Sequence, residues 1–308
     1  MRSHPHFRAY AALVSVCFFW GTTYLSIRMA LESIEPMTLV AARFILSGGI
    51  LLIACRLMGA ELPRGRELAQ NAFNGVAILG VGNGCLVLAE TWIPSGLAAL
   101  IITVSPFWMV GLNAVMPPRE RLHGPTLFGM AIGLAGAALL VGPGAMAGGA
   151  AGGAIIQGFI VLQIGCFFWT FGSLLQRRQQ NRAHPIVAGG VQQLAAGLAF
   201  LPMALVQGIP HPVSGRSLGA LLYLVVFGSI VGYSSYIYAL DRLPVAIVSI
   251  YNYVNPVVAV LLGWLFYRET FGLREAIAMV VIFIGVAVVR RIDSGRVRPE
   301  AVATPQAE

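Results

Sequence analysis

The sequence contains no lysine and little charge of any kind: 10% of its 308 residues are charged, against about 25% in an ordinary soluble domain. That shortage, with 57% hydrophobic residues and a mean hydropathy of +0.79, excludes a water-soluble globule, which cannot hide so much apolar surface at this length. Cysteine is scarce. Cys17, Cys55, Cys85 and Cys166 all lie in apolar runs without metal-ligand spacing, so they read as buried reduced thiols and no metal site is expected. His4, His6, His123, His184 and His211 sit at run edges or in the termini. None pairs with Cys, Ser or Asp at a catalytic spacing, and an intramembrane enzyme or lipid-binding scaffold with paired mid-membrane catalytic residues is not supported. The formal charge of +8 comes from arginines scattered between apolar runs. Without a basic stripe it marks topology, not a nucleic-acid partner. Gly80-Val81-Gly82-Asn83-Gly84 has no βαβ context, so no cofactor is expected.

Long apolar runs fill the chain. A spanning helix needs about 20 apolar residues at a rise of about 1.5 Å each. Ten runs qualify, near 10–31, 36–58, 68–90, 93–116, 124–142, 154–175, 186–206, 217–239, 244–266 and 272–290. The Gly-rich stretch 142–153 reads as a flexible linker and 291–308 as a disordered cytoplasmic tail. With the N-terminus in the cytoplasm, most arginines fall inside, Arg56, Arg64, Arg66, Arg177, Arg178 and Arg182 among them. Only Arg28, Arg216, Arg268 and Arg274 fall near the outer side, and Arg43 lies within a span. The bias predicts a multi-pass protein of the inner (plasma) membrane with both termini cytoplasmic.

The runs also repeat. Cys17-Phe18-Phe19-Trp20 returns as Cys166-Phe167-Phe168-Trp169, Ile93-Pro94 as Leu243-Pro244, Ser105-Pro106 as Asn255-Pro256, and Arg119-Glu120 as Arg268-Glu269. The offset stays near about 150 residues, as a duplication requires. The predicted architecture is an all-α membrane protein, ten transmembrane helices in two five-helix units at 10–142 and 154–290. An odd number of spans per unit inserts the second unit upside down, giving an inverted repeat suited to alternating access.

Polar and aromatic residues inside the spans mark interior faces, because lipid offers them no partners. Trp20, Tyr24, Asn83, Gln163, Trp169, Tyr233 and Asn252 are the candidate substrate-binding residues: aromatic walls with a few amides suit an amino-acid-sized ligand. Tyr238, Tyr253 and Trp92 read instead as interhelical or interfacial residues. Pro94, Pro106, Pro244 and Pro256 occupy matched places in the fourth and ninth spans, where they would kink the helices and serve as gating hinges. Arg43 reads as snorkelling outward, toward Glu32 or Glu35, or as structural, because its repeat partner is the uncharged Gln192; the alternative is that it holds a substrate carboxylate. No carboxylate sits at mid-depth; Glu90 ends the third span near the outer surface. This disfavours a relay built on a buried acid.

Phe18-Phe19-Trp20-Gly21, Pro36 followed by Arg43-Phe44, the Pro94 to Ser105-Pro106 span with Arg119-Glu120 after it, and the second-half copy of these features resemble the drug/metabolite transporter superfamily. They are similar to its EamA-type ten-span branch over residues 10–290. The resemblance implies a central cavity between the halves, cytoplasmic termini and a cargo among amino acids and other metabolites. Small multidrug-resistance relatives use a glutamate in the first span, and this chain has none there. The expectation is an exporter of small metabolites, amino acids foremost; the alternative is a proton-coupled drug or quaternary-cation efflux protein. Its partners would be a small-molecule substrate and membrane lipid. The oligomeric state stays open, and a monomer is compatible with the sequence.

Overall fold

The computed structural model describes residues 5–117, 123–146, 149–179, 183–208, 212–243, 245–248 and 250–294. All regular structure among them is helical, as a lipid-embedded backbone demands when it must satisfy its own hydrogen bonds. The first two spans are single helices, α1 (Pro5–Ala30) and α2 (Pro36–Leu57). Pro36 opens α2 at its first turn, where the missing N–H costs nothing. The third span is α3 (Gly65–Gly75), a π-helical segment (Val76–Gly82) and α4 (Asn83–Ala89). The fourth is α5 (Ser95–Ile102) and α6 (Ser105–Val115), and the fifth is α7 (Gly124–Met146).

The second half repeats the plan. Its first three spans are α8 (Gly149–Arg178), α9 (Pro185–Gln207), and α10 (Gly215–Tyr223) joined through π-helical Leu224–Val231 to α11 (Gly232–Arg242). The last two are α12 (Val245–Val248) with α13 (Tyr251–Tyr267), and α14 (Leu273–Ser294). Among the described residues, eight spans are long and apolar enough to cross a bilayer by themselves. The ninth is divided, and the tenth carries charges at both ends.

The inverted repeat is visible in the packing. Repeat mates meet across the molecule, α2 on α9 and α7 on α14. The α1·α13 contact is answered by α8 on α5 and α6, and α1 against α10 and α11 by α8 against α3 and α4. Exchanging the halves thus returns each of these contacts, as a two-fold relation requires. Both π-helical segments fall at matched places, in the third and eighth spans. At the α2–α9 crossing, a Cβ on Gly48 would overlap the backbone of Leu194, and one on Gly197 would meet the backbone of Ile45. Small residues let the two axes approach this closely.

Three expectations change. The stretch 142–153 is not an open linker: α7 runs on to Met146 through Pro143, and α8 begins at Gly149. Self-satisfied backbone hydrogen bonds in an apolar setting outweigh the poor helix propensity of glycine there. Pro94 starts α5 as its N-cap residue and kinks nothing. The fourth span breaks at Thr103–Val104, just before Pro106, whereas Pro256 lies inside α13 and the ninth span is interrupted earlier, between Val248 and Tyr251. Pro244 and the tail from 295 onward lie outside the described residues.

Candidate functional site

The two π-helical segments decide what surrounds the centre. A π turn widens the helix and loosens the ordinary backbone ladder, and here its carbonyls and side chains meet partners from other spans. In the second segment, the Gly228 carbonyl accepts from Trp20 Nε1 at 3.1 Å, and Ser229 Oγ accepts from Arg43 Nε at 2.9 Å. Gly232, at the start of α11, faces the Trp20 indole so closely that any Cβ would collide with it. In the first half, a Cβ on Gly82 would stand 3.3 Å from Trp169, a tight contact but not a collision.

The repeat motif therefore delivers its two tryptophans to one place. Trp20 and Trp169 meet edge to face, with ring centroids 6.3 Å apart at 88°. Tyr236 and Tyr251 each stand 5.1 Å from Trp20. Such aromatic pairs add about 0.5–1.5 kcal/mol each beyond their burial, so the cluster is a rigid wall.

That wall borders a cavity of about 830 Å³ between the halves, within the range of small-molecule sites. Of the candidate residues, Trp20, Tyr24, Asn83, Trp169, Tyr233 and Asn252 line it. Gln163 does not; it faces Trp108, whose Nε1 donates to Gln163 Oε1 at 2.9 Å. Pro106, beside the break in the fourth span, and Pro256, inside α13, line the cavity, and Pro94 does not. Tyr253 packs on Phe283, and Tyr238 stacks with Arg242, both away from the wall. Among the described residues, the lining contains no Asp or Glu.

Arg43 is the main revision. It does not snorkel. It is 5% exposed and lines the cavity, with Nη1 donating to Asn83 Oδ1 at 3.2 Å in addition to the Ser229 contact. Helix depth in the sequence carries no trace of the acceptors that the π-helical segment holds on the inner side. Glu90 ends the third span as expected, as the C-cap residue of α4, but it is buried there: it is 3% exposed, and neither carboxylate oxygen finds a hydrogen-bond donor among the described residues. Gln193 carries no distinguishing signal in the sequence. It lines the cavity at 1% exposure with both amide atoms unpartnered among the described residues.

The cavity's two ends differ. Toward the end that carries the termini, its wall reaches Arg177 and the exposed His123. At the opposite end the halves are tied together. Glu269 accepts from Ser95 N at 3.0 Å, Ser95 Oγ at 2.9 Å and Gly96 N at 3.0 Å, and pairs with Arg28 Nε at 3.5 Å. An anion from the second half thus caps the α5 N-terminus of the first, where the free N–H groups and helix dipole favour it. Arg216, Glu32 and Tyr267 form a second cross-half cluster there, and Ser33 bonds Ser214.

Comparison with known proteins places this architecture. The EamA-like transporter family matches twice, over residues 7–142 and 156–291. An Escherichia coli (strain K12) protein called uncharacterized inner membrane transporter YedA is 33% identical over 94% of this chain and 92% of its own length. A probable terminal-alkyne amino-acid exporter of Streptantibioticus cattleyicolor is 27% identical over 94% of this chain and 96% of its own. Protein PecM of Dickeya dadantii is 26% identical over 89% of each chain. One crystal structure shares the fold, with a TM-score of 0.66 over 92% of this chain and 98% of that one at 22% identity.

Proposed function

The chain belongs to the EamA-like transporter family of the drug/metabolite transporter superfamily, and from that premise we propose that it exports small metabolites, amino acids foremost, by alternating access through the central cavity. The observation that carries this reading is a cavity shared by two inverted halves and tied shut at one end by contacts between them. In such a scaffold the two ends exchange roles when the halves rock. The halves, 10–142 and 154–290, are the moving units. Trp20, Tyr24, Asn83, Trp169, Tyr233 and Asn252 contact the cargo, and the span breaks beside Pro106 and ahead of α13, the helix that holds Pro256, absorb the motion. With the termini in the cytoplasm, the described conformation is the inward-facing one. A relative named as an amino-acid exporter supports the cargo class.

The test is uptake of a panel of labelled amino acids into proteoliposomes holding the purified chain. Saturable counterflow of at least one amino acid is expected. Its absence across the panel overturns the cargo assignment.

The alternative, proton-coupled efflux of drugs or quaternary cations, draws its support from Glu90, a buried carboxyl with no hydrogen-bond donor among the described residues. The cavity wall speaks against cationic cargo, since its lining carries Arg43 and no acid. Drug-dependent proton flux in the same vesicles would decide for the alternative.

A further inference from the structure

A buried guanidinium needs an anion, and Arg43 has none among the described residues. Its partners there are Asn83, Ser229 and the face of Phe44, 5.0 Å from the guanidinium carbon. The ion pairs among the described residues lie elsewhere, on Glu269, Glu32 and Glu275. Arginine does not shed its proton under physiological conditions, and an uncompensated buried charge is costly. Its fork of N–H donors matches a carboxylate, and Ser229 and Asn83 hold that fork at the cavity wall.

The repeat sharpens the point. The position matching Arg43 in the second half is Gln192, and the protein satisfies that amide itself: Tyr233 Oη donates to Gln192 Oε1 at 2.6 Å, and Gln192 Nε2 donates to Asn71 Oδ1 at 3.4 Å. The two-fold scaffold therefore does not require a charge at this place. The neighbouring Gln193 offers a second, independent sign. Its buried amide lines the cavity with neither atom partnered among the described residues, and such groups are expensive unless something bonds to them.

We infer that Arg43, braced by Asn83 and Ser229, is the subsite for a carboxylate on the transported solute, and that Gln193 supplies a further polar contact. The aromatic wall takes the apolar body of the same molecule. This rests on the transporter reading and adds a selectivity to it: solutes with a carboxylate are carried in preference to their amides and to quaternary cations.

The experiment uses the full chain in proteoliposomes, with labelled L-phenylalanine, 3-phenylpropionate and L-phenylalaninamide as probes. On the wild type, the amide should move at least about tenfold less efficiently than the two carboxylates, the size expected for losing a charge-assisted contact. Arg43→Gln should raise KM for the carboxylates by a similar factor and erase the discrimination, while Arg43→Lys restores part of it. A purely structural arginine would instead lower transport of all three probes alike. Equal wild-type transport of phenylalanine and its amide, or discrimination retained in Arg43→Gln, overturns the inference and leaves the transporter reading standing. The wild-type comparison stands even if a variant fails to fold. Movement of none of the probes overturns the inference for these solutes, and the amino-acid reading falls with it when the full amino-acid panel also fails to move.

Discussion

Replacing Glu269 by Gln should loosen the closed end of the bundle. The carboxylate accepts three hydrogen bonds from Ser95 and Gly96 at 2.9–3.0 Å and pairs with Arg28, and its side chain is 9% exposed. In the amide, one oxygen still serves Ser95, but an NH2 group is set against the Gly96 N–H. One charge-assisted bond, about 1.5–3 kcal/mol, is lost. The favourable placement of an anion at the α5 N-terminus, about 0.3–1 kcal/mol, goes with it. A loss of about 2–4 kcal/mol in this conformation alone shifts its balance with an opened one by about 30-fold or more, since about 1.4 kcal/mol is tenfold. The assay is thiol labelling. On a background with the four native cysteines replaced, Thr103→Cys places a thiol on the cavity wall at a 3% exposed position. A membrane-impermeant maleimide applied to the face opposite the termini should label it at least about tenfold faster in the Glu269→Gln protein. Unchanged labelling together with an unchanged thermal midpoint would refute the latch.

Trp20→Ala and Trp169→Ala should each raise KM for the transported amino acid by about tenfold, because each removes ring contacts worth about 0.5–1.5 kcal/mol apiece and the wall that faces the cargo. Unchanged counterflow in both would remove them from the site. Gly197→Ala should destabilise the purified protein by about 1–3 kcal/mol, the cost of forcing a methyl into the close α2–α9 crossing; its thermal midpoint in detergent is the check. Arg268 caps α13 with φ +50°, a left-handed conformation that costs a non-glycine residue about 1–2 kcal/mol. Arg268→Gly should therefore raise the thermal midpoint, and a drop would show that the arginine side chain contributes more than its backbone costs.

The sequence alone determined the solvent, the helical class and the doubling. Charge content and run length are set by the bilayer whatever the packing, and a near-constant offset between Trp20 and Trp169 or Pro106 and Pro256 survives in any fold. It also picked out six residues that line the cavity, since polar and aromatic side chains within an apolar run have to face inward. Only the tertiary structure decided what depends on partners distant in the chain. Arg43 and Gln192 hold matched places in the repeat, yet one faces a cavity with neutral acceptors and the other is closed off by Tyr233 and Asn71. Glu269 looked like a loop residue until α5 presented its N-terminus to it. The π-helical segments, which hold Trp20 and Arg43 in place, follow no periodicity that a linear reading detects. In each case the side chain's role is fixed by which donor or acceptor the other half of the molecule brings within hydrogen-bond reach, and a one-dimensional pattern carries no record of that.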